Sequence, residues 1–304
     1  MESNTVQRSL YYYDLYALIK NKKTKKFDHS FKGISDFLSN LYDEQVEATN
    51  YKDFLKPTRN SNNFLVIVDN IKDTYIEFRI ILCRTNALPY IEKDGNLEQL
   101  GDYIDPDQNI AEITHCIYFN EYGVMGAEYN FSGCRPTAIA DYLLLSEIEA
   151  DQVTCRPKLN YDAYNKIIAG EEFSLFDFAV KSDSDAYNKM LAKKSIFKAI
   201  RAEVPDTDTI EVVLRKRKTK KNKRTGFTAP LTHKEIKELL DNYRDDITRF
   251  NISQDAFSDA IDLLSDKLVN KVDVIRTSER TIDSKDIYKK IHQYFDSTVV
   301  KYCS

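Results

Sequence analysis

The chain has 304 residues, a mass of 35.3 kDa and a formal net charge of −4 at neutral pH. Apolar residues make up 42% of it, with 20 tyrosines and 16 phenylalanines, which excludes a disordered chain and suffices for one large or two ordinary domains. It contains no apolar run of about 18 residues and begins without the basic and apolar regions of a secretory signal, so we expect no membrane span and no secretion.

The cysteines indicate the compartment. There are five of them, widely spaced and without any CxxC pair. In a chain of this length, such a pattern is typical of buried or free thiols in a reducing environment rather than of a disulfide framework. The sequence therefore predicts a cytoplasmic protein.

The first half of the chain is predicted to consist mainly of antiparallel hairpins. In residues 74–83, Ile76, Phe78 and Ile80 alternate with polar residues, which is the two-residue period of a half-buried strand. Residues 30–42 repeat apolar residues at the spacing of one helix face. The predicted strands are 9–19, 63–69, 74–83, 111–119 and 124–130, and the predicted helices are 30–42 and 137–149.

The second half is predicted to be richer in helices. Residues 233–247 and 253–269 both space their apolar residues by three, one, three and four positions. Two helix faces of this kind in succession predict an antiparallel helix pair. The other predicted helices are 161–169, 185–201 and 284–296, and the predicted strands are 173–181, 209–218 and 271–276.

These elements predict an α+β fold with an antiparallel sheet of hairpins in the N-terminal half and a helix-rich C-terminal half. Strand content falls near residues 150–160. We therefore expect an α+β domain with antiparallel hairpins over residues 1–158 and a helix-rich α+β domain over residues 159–304. A single continuous domain is the alternative.

Positive charge is concentrated in one segment, RKRKTKKNKR at residues 215–224, which we call the basic loop. Without its eight basic side chains, 36 basic residues face 48 acidic ones, a balance of −12. Dense like charges repel one another, so we expect an extended, solvated segment that binds the phosphates of DNA or RNA. The alternatives are a solvated tip without a partner and docking onto an acidic protein surface, such as a second copy of this chain. The predicted nucleic-acid-binding residues are Arg215, Lys216, Arg217, Lys218, Lys220, Lys221, Lys223 and Arg224.

The motifs of common enzymes are absent. The sequence has no GxxxxGK[ST] or GxGxxG phosphate loop, no GxSxG nucleophile elbow and no HExxH zinc motif. A metal-dependent nuclease has partial support from Asp206 and Glu211, but Val213 stands where that chemistry needs a lysine. We therefore predict no catalytic residue, no metal and no cofactor.

One hairpin collects polar residues that are candidates for lining a pocket. They lie within residues 115–135 and are His115, Asn120, Glu128, Asn130 and Arg135. The alternative, which we favour, is the polar outer face of a sheet edge on which Arg135 pairs with Glu128.

Together these features predict a non-enzymatic, cytosolic binding protein whose basic loop contacts the nucleic-acid backbone. A chain rich in Asn, Lys, Ile and Tyr without recognisable motifs is also typical of accessory factors of bacterial antiviral defence and of mobile elements. The first alternative is a protein–protein interaction subunit or homo-oligomer that uses the tyrosine-rich sheet and the helix pair. The second is a divergent metal-dependent nuclease.

Overall fold

The structure of the protein is a computed structural model that divides into two compact units. The first unit is Met1–Lys158 together with Val269–Ser304, and the second is Leu159–Leu268. The structure describes residues 4–21, 27–58, 62–85, 88–105, 107–158, 174–203, 207–215, 231–253, 261–264, 267–279 and 281–303.

The described residues form fifteen strands and six α-helices, numbered here in chain order. The strands are β1 (Thr5–Lys20), β2 (Phe27–Ser30), β3 (Lys56–Pro57), β4 (Asn63–Ile71), β5 (Tyr75–Arg84), β6 (Tyr90–Lys93), β7 (Asn96–Gln99), β8 (Ile110–Phe119), β9 (Val124–Glu128), β10 (Gln152–Pro157), β11 (Leu175–Lys181), β12 (Thr209–Arg215), β13 (Ile247–Ser253), β14 (Ile261–Asp262) and β15 (Val269–Ile275). The helices are α1 (Lys32–Glu47), α2 (Ala138–Leu145), α3 (Asp185–Lys189), α4 (Ser195–Glu203), α5 (His233–Asn242) and α6 (Ser284–Ser297).

The first unit is built on a large curled antiparallel sheet of nine strands. Its main path runs β10–β1–β9–β8–β5–β4–β3, and β15 and β2 also pair with β1. Because β1 has 16 residues, β15 and β10 follow each other along one of its edges while β9 and β2 follow each other along the other. The pairing of β15 with β1 joins the C-terminal segment of the chain to the N-terminal strand.

One face of this sheet is covered by α1 and α2. The predicted alternation in β5 is confirmed, since Ile76, Phe78 and Ile80 are buried in the same core cluster as the apolar residues of both helices. Gln45 of α1 also ties the helix to β4, donating to the carbonyl of Val66 at 2.7 Å and accepting from the N–H of Val68 at 3.0 Å. The predicted β4–β5 and β8–β9 hairpins both form.

The opposite face of the central strands is covered by α6. The hydroxyl of Tyr12 donates to the carbonyl of Ile291 at 2.7 Å, and the rings of Phe119 and Phe295 stack with their centroids 3.5 Å apart. Successive residues of a strand point to opposite faces, so β1, β8 and β9 serve both layers at once.

The second unit has its own four-stranded antiparallel sheet, in the order β12–β11–β13–β14. Phe176, Phe178 and Phe250 form the centre of its core, and α3, α4 and α5 contribute apolar side chains to the same cluster. The second unit therefore buries a hydrophobic core of its own.

The prediction of a helix-rich C-terminal half is wrong. Strands make up 43% of the structure, whereas six helices account for 30%. The predicted helix pair 233–247 and 253–269 does not form, because α5 ends at Asn242 and the chain continues as β13 and, later, β14. Residues 254–260 of the second predicted helix lie outside the described residues.

A β-bulge makes β13 difficult to recognise from the sequence. The register of β13 against β11 shifts by one residue, with Arg249 opposite Ala179 and Ile247 opposite Val180. An extra residue in a strand interrupts its two-residue alternation, so the buried Ile247 and Phe250 are three positions apart. That spacing in the sequence is the same as on a helix face.

Candidate functional site

The described residues that come before and after the basic loop belong to the core of the second unit. On the N-terminal side, β12 buries Ile210 and Val212 and ends at the exposed Arg215. On the C-terminal side, Leu231 is buried in the same hydrophobic core as Ile210 and Val212. Thr232 is the N-cap of α5 and forms a capping box with Glu235. The other predicted nucleic-acid-binding residues lie outside the described residues: Lys216, Arg217, Lys218, Lys220, Lys221, Lys223 and Arg224.

An ion-paired cluster lies on the sheet face of β11, β12 and β13 that is turned away from the helices. Arg249 donates from Nε to Asp177 at 2.7 Å and from Nη2 to Glu211 at 2.9 Å. In the register, Ala179 is opposite both Arg249 and Glu211, and its small side chain leaves room for the guanidinium group. The hydrogen bonds to Asp177 and Glu211 raise the pKa of Arg249.

The same face bears Glu211 and Val213, two of the residues considered for a metal-dependent nuclease. Glu211 is engaged by Arg249, and Val213 is exposed on the same strand. Asp206 lies outside the described residues. Within the described part of the chain, no group of three or more His, Cys, Asp or Glu side chains is placed to hold a metal ion.

Three of the five predicted pocket residues each have a separate hydrogen-bond partner. The side chain of Asn120 donates at 3.3 Å to a backbone carbonyl in the β4–β5 turn. That of Asn130 donates at 2.8 Å to a backbone carbonyl of β8. Arg135 donates to the hydroxyl of Tyr129 and lies over its ring, with Cζ 4.9 Å from the centroid. Arg135 therefore contacts Tyr129, whereas Glu128 has other partners.

His115 and Glu128, the remaining two, meet beneath α6 because they lie on the paired strands β8 and β9. They are 3% and 1% exposed. Oε1 of Glu128 lies 2.6 Å from Nδ1 of His115 and accepts the backbone N–H of the same residue at 3.1 Å. Nε of Arg8 is 3.6 Å from the other carboxylate oxygen. The cationic Arg8 and the two N–H donors compensate the buried carboxylate.

Ser284, the first residue of α6, extends this contact into a line of three side chains. Its Oγ lies 2.9 Å from Nε2 of His115. In the neutral tautomer that donates from Nδ1 to Glu128, Nε2 is an acceptor and the hydroxyl of Ser284 is its donor. A hydroxyl, a base and an orienting carboxylate in this order are the parts of an activated nucleophile.

A second polar cluster lies beside the first under the same helix. Arg79 donates to both carboxylate oxygens of Asp69, from Nη2 at 2.6 Å and from Nε at 2.8 Å. Tyr288 of α6 donates to Asp69 at 2.6 Å, and its ring lies edge-on to His115 with the centroids 5.4 Å apart. Burial, and secondly the charge of Asp69, raise the pKa of the Tyr288 hydroxyl.

Sequence reasoning missed most of these partners. His115 and Glu128 were found because they belong to one predicted hairpin. Ser284 is 169 positions from His115, and no local pattern connects the two. The alternation in β5 does place Arg79 on the polar side of that strand, but it does not indicate which element covers that side.

A surface cleft of about 460 Å³ lies between α1 and α2, away from both polar clusters. Its charged lining consists of Glu44, Asp53 and Glu147 with Lys56. Because acidic groups predominate, the cleft is unsuited to a phosphate ligand and is not a candidate for nucleic-acid contact.

No protein-family model matches this chain, and no curated protein matches it in sequence. Among the described residues, no helix is both long and apolar enough to cross a membrane, and the longest, α1, has 16 residues.

Proposed function

We propose that this protein binds the phosphate backbone of DNA or RNA through its basic loop, residues 215–224. One observation carries the proposal, namely eight basic side chains within ten consecutive residues that contain no acid. Cations at this density release many counterions when they meet phosphates, and such binding needs neither a rigid fold nor a base-specific contact. This function requires no catalysis.

The rest of the chain supports a localised contact. Outside the basic loop the balance is −12, so a polyanion is repelled by most of the molecule and attracted at one segment. Elsewhere in the described chain, carboxylates are paired with Arg8, Arg79, Arg84 and Arg249. Those charges are already partly compensated within the fold, whereas the basic loop has no acid in its own sequence.

We place this activity in the cytoplasm. All five cysteines are among the described residues and all are free thiols. Free thiols without disulfides are typical of a reducing compartment.

Binding should depend steeply on salt and on the basic loop. If all eight cations contact duplex DNA, the logarithm of the association constant should fall against the logarithm of salt concentration with a slope of about −7. Changing the eight residues to glutamine should abolish this dependence and reduce binding to background. Fluorescence anisotropy with labelled duplex and single-stranded DNA and with RNA, over a salt series, measures both quantities.

A matched control is available within the chain. Lys22, Lys23, Lys25 and Lys26 form another cluster of four cations. Changing these four to glutamine should weaken binding far less than the same change at Lys216, Lys218, Lys220 and Lys221, which removes an equal charge. Equal effects of the two variants, or unchanged binding in the eightfold variant, would refute the proposal.

A second candidate function is binding to another protein or to a second copy of the chain. The β6–β7 hairpin and the turn after it expose large apolar side chains, with Tyr90 at 63%, Leu97 at 74% and Tyr103 at 51%. Exposed apolar groups of this size close together are typical of interaction surfaces. Mass photometry over a concentration series should show a dimer that Leu97→Lys dissociates, and a strict monomer would count against self-association.

A further inference from the structure

We propose that Ser284, His115 and Glu128 form a second functional site, in which Ser284 is a nucleophile that accepts acyl groups from carboxylic esters. This site lies in the first unit and goes beyond nucleic-acid binding. It also replaces the expectation of a chain without catalytic residues.

The hydrogen bonds have the geometry that such a nucleophile requires. The separation of Ser284 Oγ from His115 Nε2 is 2.9 Å, and that of His115 Nδ1 from Glu128 Oε1 is 2.6 Å. Both lie within the range in which a base takes a proton from a hydroxyl and a carboxylate orients the base. The backbone N–H of His115 holds the same carboxylate oxygen in place.

The exposed fraction decreases from the nucleophile Ser284 to the base His115 and then to the carboxylate Glu128. Ser284 is half-buried, whereas the side chains of His115 and Glu128 are 4% and 2% exposed. Ser284 is therefore the most exposed of the three residues, while water is largely excluded from the base and the carboxylate. Hydrogen bonds in such a low-dielectric environment are stronger than in water.

The position of Ser284 in α6 places backbone donors beside the nucleophile. The first N–H groups of a helix have no acceptor within the helix, and Ser284 and Lys285 are the first two residues of this 14-residue helix. Asp283 caps the N–H of Asp286 at 2.9 Å. The N–H groups of Ser284 and Lys285 are therefore the donors that we assign to an oxyanion formed on Ser284 during acyl transfer.

The reaction balances with the ester and water alone. Oγ of Ser284 attacks the carbonyl carbon as its proton moves to Nε2 of His115, and the ester C–O bond breaks as His115 returns that proton to the leaving alcohol. Water then attacks the acyl-serine and gives a proton to His115. The acid is released, and His115 returns the proton to Ser284.

Reactivity separates this role from a purely structural one, in which the same hydrogen bonds only hold α6 on the sheet. The full-length protein is incubated with an alkyl fluorophosphonate, and adducts are followed by intact mass and peptide mapping. We expect one adduct, on Ser284, that is absent in Ser284→Ala. Glu128→Gln should slow labelling about 100-fold or more, because it disturbs the tautomer and orientation of His115.

Ser297→Ala, at the other end of α6, is the matched control and should label at the wild-type rate. The proposal is overturned if the folded wild type forms no adduct, if the adduct lies on another residue, or if a folded His115→Gln variant labels at the wild-type rate. Circular dichroism shows whether each variant is folded. Should His115→Gln not fold, the adduct site in the wild type and its loss in Ser284→Ala decide the matter.

Discussion

Gly126→Val should lower the free energy of unfolding of the first unit by about 3 kcal/mol or more. Gly126 lies in β9 directly beneath α6, and a Cβ atom there would be 2.5 Å from Cγ2 of Ile291 and 2.8 Å from Cε1 of Tyr12. Both neighbours are fully buried, so neither can move aside without displacing the helix. The displacement would also break the hydrogen bond from Tyr12 to the carbonyl of Ile291 and leave a buried hydroxyl without its acceptor.

Chemical denaturation and hydrogen exchange of peptides from β1, β9 and α6 measure this effect. Gly101→Ala is the control, because the nearest atom to a Cβ at that position is Cδ1 of Leu88 at 3.9 Å. It should change stability by less than about 0.5 kcal/mol. A Gly126→Val protein as stable as the control would show that α6 does not pack closely on β9.

Phe250→Ala should lower the free energy of unfolding of the second unit by about 3–5 kcal/mol. The side chain of Phe250 is fully buried in β13, with ring centroids 4.9 Å from Phe178 and 5.7 Å from Phe176. Alanine would leave a cavity between these rings that the close-packed core cannot fill by relaxation.

Hydrogen exchange monitored by mass spectrometry resolves this effect within the second unit. Peptides from β11, β12 and β13 should lose protection by about 100-fold or more, since each 1.4 kcal/mol is a factor of ten. Thr248→Ala, an exposed position on the same strand, should leave their protection unchanged. Similar exchange in the two variants would contradict the assignment of residues 247–253 to a strand in the core.

Local periodicity was sufficient for much of the first unit. The alternation of Ile76, Phe78 and Ile80 with polar residues predicted β5, and its partner β4 precedes it, separated by a short polar turn. Helix α6 was also predicted, from Ile287, Ile291 and Phe295, and all three are buried. In both elements the apolar residues that repeat in the sequence are the ones that are buried, so the local sequence is enough to predict the element and its buried face.

The same reasoning failed where the strand was irregular. In β13, the bulge opposite Ala179 and Val180 separates Ile247 from Phe250 by three positions. Only the pairing with β11 reveals that this spacing belongs to a strand, because a bulge is defined by the partner strand and not by the residues themselves.

The sequence by itself determined the charge layout, an acidic chain with one basic loop, since charge depends on composition and order alone. It also brought His115 and Glu128 into one hairpin. Only the tertiary structure decided that Ser284 and Tyr288 meet them, and that Asp69 and Arg79 lie alongside. The pattern of apolar residues indicates which face of a helix or strand is buried, but long-range packing determines which other element covers that face. Here the entire second unit lies between Glu128 and Ser284 in the sequence, so no local pattern could connect them.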